Sequence, residues 1–198
     1  MIRTALALTA TVALVAITLA PTAAEPARPA ATTFSVDPVH SALVFRIRYG
    51  GVSDFWGRFN GFSGTVAFDA DAPEKTVFDV TVKTESVDSG NERRDGHLKS
   101  PDFFSAKEHP EITFKSKSVK KGSDGELAVT GDLSLRGVSK EVTATVKYGG
   151  ETEARDGGKR IGFDGRLTIK RGDFGITFGE GMLGDDVEII MGLTAVAK

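Results

Sequence analysis

The sequence predicts an all-β protein in which eight long antiparallel strands close into an extended barrel. Apolar and polar residues alternate with a period of two through most of the chain from residue 34 onward, which is typical of strands with one apolar face. Strands and helices do not alternate along the chain, which argues against a parallel sheet. The 23 glycines among 198 residues supply the bends that a curved sheet needs.

The alternation is clearest where the sheet begins. The first long strand starts near Ser41, after a short edge strand expected at residues 34–36. Its apolar positions are Leu43, Phe45, Ile47 and Tyr49. A glycine corner at residues 50–51 precedes the second strand, expected from about residue 58 to residue 69. The apolar positions of this second strand include Phe62, Val66 and Phe68. Glycines in and beside it indicate bulges, bends or close backbone approaches.

Six further strands are expected, all with the same alternation. They cover residues 76–87, 111–119, 126–135, 138–148, 160–170 and 186–196. Their apolar faces include Phe78, Val80, Val82, Phe114, Leu133, Phe163, Leu167, Ile189 and Met191. An open sheet of this length would leave two unpaired edges, whereas eight strands close into a barrel that is either filled or holds one small ligand. A β-sandwich with a filled core has the same pattern and remains an alternative.

One connection breaks the alternation. Residues 89–104 are the longest link between strands, and Ser89 or Asn91 could cap a short helix that ends before Pro101. Long ordered connections in compact domains are often lids or binding loops. The helix carries Arg93, Arg94, Asp95 and His97. They form either a solvated face with local ion pairs or, if this connection lies near the barrel mouth, a contact for the polar end of a ligand.

The N-terminus is typical of a targeting segment. Arg3 precedes an uncharged apolar run, and small residues follow up to Ala24, which predicts a signal peptide at residues 1–24. A transmembrane helix is the competing interpretation, although the run is short for a span. Residues 25–33 are expected to be a disordered leader and residues 34–198 the folded domain. The mature protein is expected in the periplasm or outside the cell, without disulfides or a lipid-attachment site, because the chain has no cysteine.

The composition and the motifs of the chain argue against several classes of function. A formal net charge of −2 makes nucleic acid an unfavourable partner. The three histidines have no metal-ligand spacing, and nucleophile elbows and P-loops are missing from the sequence. We therefore expect no metal, no cofactor and no catalytic residues, with a hydrolase or isomerase as a minor alternative.

Five sequence blocks resemble one known family. They lie at residues 37–47, 51–65, 93–116, 131–142 and 171–176. In this order they are similar to the YceI-like family, also called the polyisoprenoid-binding family, over nearly the whole predicted domain. The resemblance implies a lipocalin-like barrel in an exported protein that holds a long isoprenoid, such as an isoprenoid quinone, or a related amphiphile. One difference is Tyr49, because the family often has histidine after the first strand.

If the barrel is hollow, its apolar face becomes the ligand-binding surface. The predicted ligand-binding residues are Leu43, Phe45, Ile47, Tyr49, Phe62, Val66, Phe68, Phe78, Val80, Val82, His97, Phe114, Leu133, Phe163, Leu167, Ile189 and Met191. The expected partner is a hydrophobic lipid, bound for transport or storage without stable insertion of the protein into a membrane. A structural or interaction domain with a filled core and an outer-membrane barrel are the alternatives. Relatives of this kind include dimers, but no residue pattern here encodes a homodimer.

Overall fold

A computed structural model describes residues 31–153 and 157–197 of the chain. Eleven strand segments and one α-helix are found in these residues. The strands are β1 Thr32–Val36, β2 Ala42–Tyr49, β3 Ser53–Phe59, β4 Phe62–Phe68, β5 Val77–Lys83, β6 Val87–Asp88, β7 Glu111–Lys121, β8 Glu126–Leu135, β9 Val138–Glu153, β10 Lys159–Lys170 and β11 Leu183–Ala197; the helix is α1 Glu92–Leu98. The predicted signal peptide and most of the predicted leader lie outside the described residues.

The eleven segments form eight long antiparallel strands. Short breaks divide three of these strands into the pairs β1 and β2, β3 and β4, and β5 and β6. Each long strand pairs with its neighbour in sequence, and β11 closes the ring by pairing with β2 along most of its length and with β1 at its end. The predicted eight-stranded antiparallel barrel is therefore confirmed, and the sandwich alternative is wrong because the sheet has no open ends to stack.

Several predicted boundaries are wrong for local reasons. Residues 34–36 are not an edge strand, because β1 lies between β4 and β11 and closes the barrel. Thr32 and Thr33, predicted to belong to the leader, pair with β4. The second strand begins at Ser53 rather than near residue 58, and the last begins at Leu183 rather than residue 186. The third strand is interrupted by a 3₁₀ turn at Thr84–Ser86, which lets it bend around the barrel.

Two glycines show how the sheet curves. Gly57 lies opposite Phe45, and a Cβ atom at Gly57 would come within 2.3 Å of the Phe45 ring. Gly64 in β4 similarly leaves room for the backbone of β5, since its Cβ would lie 2.2 Å from the carbonyl oxygen of Asp79. Both glycines allow the contacts that a tightly bent wall requires.

Side chains fill one end of the barrel completely. An aromatic layer of Phe68, Phe78, Tyr148 and Phe163 crosses it, with ring centroids 4.6–5.5 Å apart. Burial raises the pKa of the Tyr148 hydroxyl. Beyond this layer lie further buried residues, namely Phe34, Val36, Val66, Ile161, Leu193 and Ala195. We call this packed region the closed end; the connection that carries α1 lies at the opposite end, the mouth.

The outer wall is polar. Charged residues on neighbouring strands pair across it, as in Lys115 with Asp79, Lys117 with Asp132, and Arg166 with Glu188. In the described part of the chain, α1 is short, and no helix has the length and hydropathy needed to cross a membrane.

Candidate ligand-binding cavity

A cavity of about 650 Å³ occupies the barrel between the aromatic layer and the mouth. This volume lies within the range of about 300–1,000 Å³ common for small-molecule sites. Its wall is built from inward positions of β2, β3, β5, β7, β8, β9, β10 and β11, from the α1 connection and from the corner between β10 and β11. Gly165 is one of these inward positions. Because it lacks a side chain between Phe163 and Leu167, it leaves space in the apolar row along β10.

The structure brings most of the predicted ligand-binding residues together in this wall. Those that line the cavity are Leu43, Phe45, Ile47, Tyr49, Phe78, Val80, Val82, His97, Phe114, Leu133, Leu167, Ile189 and Met191. The other four do not line it. Val66, Phe68 and Phe163 are buried in the closed end, and Phe62 packs against the same core from β4. Strand alternation identifies the inward face, but it cannot tell how far along the barrel the packing extends.

Sequence reasoning missed a second group of lining residues. They include Phe55, Phe59, Leu98, Phe103, Phe104, Ile112, Ile176, Leu183 and Val187. Many lie in segments without long alternation, especially the α1 connection and the corner between β10 and β11. The paired phenylalanines at 103–104 were the available signal, because phenylalanine is among the residues most often buried.

The α1 connection covers a gap in the barrel wall. Beyond its pairing with β6 at Arg58 and Phe59, β3 pairs with β2 alone. The connection fills this gap, with the Phe104 ring 5.4 Å from that of Phe59. The prediction of a helix capped by Ser89 or Asn91 is confirmed, since the Asn91 side chain accepts a hydrogen bond from the Arg94 amide.

Arg94 projects from α1 into the cavity wall. Its guanidinium lies over the Phe55 ring, 4.4 Å from the centroid. It also donates to the hydroxyl of Ser89 at 2.8 Å and to the carbonyl oxygen of Ser89 at 2.7 Å. Asp95 accepts hydrogen bonds from Ser89 instead of pairing with Arg94. The stacking and hydrogen bonds orient Arg94 without neutralising its charge.

His97 links two segments across the mouth. Its Nε2 lies 2.9 Å from the Asp102 carboxylate, and its ring packs edge-on against Phe103 and Phe178, with centroids 5.0 and 4.8 Å away. Phe178 belongs to the corner between β10 and β11, so these contacts join the α1 connection to that corner. The structure therefore places His97 at the mouth, where its ring also lines the cavity.

Arg171 holds the corner itself. The side chain is only 5% exposed, and it donates to the carbonyl oxygens of Ile176, Phe178, Leu183 and Gly184. Two of these acceptors lie in the segment between β10 and β11, and two are the first residues of β11. Without Arg171, the corner would bury unpaired carbonyl groups.

The cavity wall carries little polar chemistry. Its polar lining residues include Tyr49, Arg94, His97 and Arg171, with no Asp or Glu among the lining residues. Arg166 also borders the cavity, but its guanidinium pairs with Glu188 on the outer wall. Within residues 31–153 and 157–197, no group of three His, Asp or Glu side chains is placed to hold a metal ion. The arrangement is suited to enclosing an apolar chain and meeting a polar end near the mouth.

Comparison with known proteins identifies the family. The model of the YceI-like domain matches residues 34–195. The chain belongs to the YceI-like family. Protein YceI of Escherichia coli O157:H7 is 41% identical over 159 residues, which cover 80% of this chain and 83% of that protein. A UPF0312 protein of Pectobacterium atrosepticum is 39% identical over 165 residues, covering 83% of this chain and 85% of its own length.

Solved structures share the barrel. BcnA of Burkholderia cenocepacia aligns with a TM-score of 0.74 at 27% identity, covering 81% of this chain and 99% of BcnA. The YceI protein of Campylobacter jejuni aligns with a TM-score of 0.66 at 34% identity, covering 74% of this chain and 87% of its own. A polyisoprenoid-binding domain from Saccharophagus degradans aligns with a TM-score of 0.66 at 18% identity, covering 83% of this chain and 98% of that domain, and this likeness concerns the fold.

Proposed function

We propose that this YceI-like barrel binds a long-chain isoprenoid or related amphiphilic lipid in its cavity and carries or stores it. The observation that carries the proposal is the 650 Å³ cavity, lined almost entirely by apolar side chains and stopped at one end by the aromatic layer. A structural domain with a filled core would not keep this volume, because an empty apolar cavity is destabilising.

The physical chemistry of the wall favours a hydrocarbon tail. Each buried methylene group is worth about 0.8 kcal/mol, and a tail needs no hydrogen bonds from the wall. Part of this gain is offset by ordering the tail and by lost translational freedom. The result is affinity that depends on tail length and shape more than on specific polar contacts.

The polar end of the ligand would lie at the mouth. Tyr49, Arg94 and His97 all line the cavity there, and among the described residues no carboxylate forms an ion pair with the Arg94 guanidinium. An oxygen-bearing head, such as the ring carbonyl of an isoprenoid quinone, could accept hydrogen bonds from these groups while the tail extends toward the closed end. The proposal assigns no catalytic step to them.

The proposed place of action is the periplasm or the exterior of the cell. The charged n-region, apolar run and small residues at positions 1–24 support export. The ion pairs on the outer wall support a barrel with water outside and lipid inside, rather than the apolar outer band of an outer-membrane barrel. The neighbour from Saccharophagus degradans is described as a polyisoprenoid-binding domain, and its shared fold is consistent with the proposed ligand class.

Native mass spectrometry after mild purification from the source cells tests binding directly. We expect a fraction of the protein to carry one lipid, and added ubiquinone should raise the thermal midpoint of the emptied protein. The proposal would be contradicted if the protein is repeatedly purified without lipid and added isoprenoid quinones do not change its thermal midpoint. Fractionation of the same cells tests export, which requires the mature chain in the periplasm or medium.

A further inference from the structure

Exposed apolar side chains concentrate around the mouth. Among the described residues, seven large apolar side chains are exposed, and four of them lie on two neighbouring tips, the turn between β2 and β3 and the segment before β11. These four are Tyr49, Val52, Phe178 and Met182. We call them the mouth rim. Val52 is 79% exposed and Met182 56%, although single exposed apolar residues are usually scattered over a protein surface.

The two tips form one surface. The Gly50 amide donates to the Met182 carbonyl oxygen at 2.7 Å, and Tyr49 lies opposite Leu183 in the pairing of β2 with β11. Phe178, on the same segment as Met182, extends this surface to the α1 connection through its contact with His97. The mouth rim is therefore held by backbone pairing and is not a set of independent side chains.

The mouth rim is continuous with the cavity. Tyr49 and Leu183 line the cavity and also belong to the paired tips, so an apolar path leads from the wall to the exposed surface. The closed end offers no comparable path because its core is filled. A lipid that enters or leaves through the mouth therefore meets the mouth rim first.

The two arginines beside the mouth rim are paired within the protein, whereas Glu180, between Phe178 and Met182, is exposed. The Arg48 guanidinium donates to Asp54 at 3.2 Å and to the carbonyl oxygen of Gly51 at 3.1 Å. Arg46 pairs with both Asp54 and Glu188. A surface with exposed apolar side chains, paired arginines and one exposed carboxylate fits a partner that offers apolar contact and does not carry an excess of negative charge.

We propose that the mouth rim docks on the surface of a lipid bilayer, so that a lipid passes between bilayer and cavity without crossing water. This inference rests on the proposed function and adds the partner and the docking face. Val52 and Met182 enter the interfacial layer, while the barrel stays outside the hydrocarbon core. Because the neighbouring arginines are paired and Glu180 is exposed, docking does not require anionic lipid.

The absence of cysteine from the chain permits a position-specific test. Val52→Cys and, as a control, Val77→Cys are each labelled with an environment-sensitive nitrobenzoxadiazole probe and mixed with phosphatidylcholine vesicles. Val77 is 51% exposed but lies at the start of β5, outside the mouth rim. We expect a blue shift and brighter emission from the probe at position 52 and no change at position 77.

A second experiment separates docking from lipid binding. We compare Val52→Ser/Met182→Ser with the matched exposed pair Val39→Ser/Val77→Ser, measuring ubiquinone loading from detergent solution and from phosphatidylcholine vesicles. Removing two inserting side chains should slow loading from vesicles by at least about tenfold, while loading from detergent stays unchanged. The control pair should behave as the unsubstituted protein in both assays.

Together, the two experiments distinguish a failure of bilayer docking from a failure of lipid binding. Normal loading from detergent with a silent probe at position 52 would overturn docking and leave lipid binding intact. No loading from detergent would overturn the proposed function, and the probe would still decide docking. A probe at position 52 that responds to raised protein concentration without vesicles, together with a doubled mass, would show that the mouth rim joins two copies of the chain and would overturn bilayer docking.

Discussion

Filling the space at Gly165 should block the cavity from within. Gly165 lies on the inward face of β10, and a Cβ atom there would lie 3.1 Å from the Met191 Cε atom, the mobile end of a flexible side chain. Gly165→Leu would thus direct four carbon atoms into the cavity beside Met191. If they displace about four methylenes of a bound tail, each worth about 0.8 kcal/mol, binding should weaken by about 3 kcal/mol, or more than about 100-fold.

The matched control is Gly162→Leu on the same strand. A Cβ atom at Gly162 meets nothing within 4 Å, so this substitution adds the same side chain without filling the cavity. Titration with ubiquinone, followed by the thermal midpoint or by native mass spectrometry, measures both variants. We expect Gly162→Leu to bind normally. A folded Gly165→Leu protein with unchanged affinity would refute the assignment of this cavity as the tail site.

Three further predictions concern stability. Phe163→Ala removes a ring from the closed end and should lower the free energy of unfolding by about 3–5 kcal/mol, measured by urea denaturation. The folded fraction should still bind ubiquinone. An unchanged urea midpoint would contradict the packed closed end. Arg171→Met should lower the free energy of unfolding by at least about 3 kcal/mol, because it leaves buried carbonyl groups unpaired. If Arg171→Met destabilises the protein no more than Lys170→Met, a substitution of its exposed neighbour, Arg171 does not hold the corner. Hydrogen bonds to Asp88 from the Gly90 amide, Asn60 and Arg58 lower its pKa from 3.8 to about 2. Because its pKa is lowered in the folded protein, Asp88 stabilises the fold above pH 3.8 and loses this effect as the pH falls toward 2. Between pH 3.8 and 2, the Asp88→Asn variant should therefore lose less stability than the unsubstituted protein. Acid titration followed by circular dichroism measures this difference.

Much of the barrel was predictable because its signal is local. Alternation along β5, β8 and β10 identifies the inward face, since neighbouring side chains in a strand point to opposite sides of the sheet. The helix could also be predicted, because Asn91 is a capping residue placed directly before it. The family resemblance added the closed, hollow form that alternation leaves undecided between a barrel and a sandwich.

The remaining features depend on contacts between residues distant in sequence. β1 helps to close the barrel by pairing with β11, more than 150 residues away. The sequence of residues 34–36 does not indicate which strand they pair with. The limit of the cavity depends on how four aromatic rings from different strands meet, so Phe163 and Leu167 look equivalent in the sequence although only Leu167 lines the cavity. Arg171 resembles an ordinary turn residue until its carbonyl acceptors are seen.

The aromatic layer has a consequence for which lipids the barrel can hold. Since it stops the cavity at a fixed depth, a tail up to that depth is fully shielded, and each additional isoprene unit must fold back or protrude at the mouth. Affinity should therefore rise with the chain length of the lipid and then level off. The polar head of a bound lipid should stay at the mouth, where an acceptor membrane or protein can contact it. Under the proposed function, loading and release use the same opening in opposite order, so lipids would be delivered one at a time rather than conducted through the barrel.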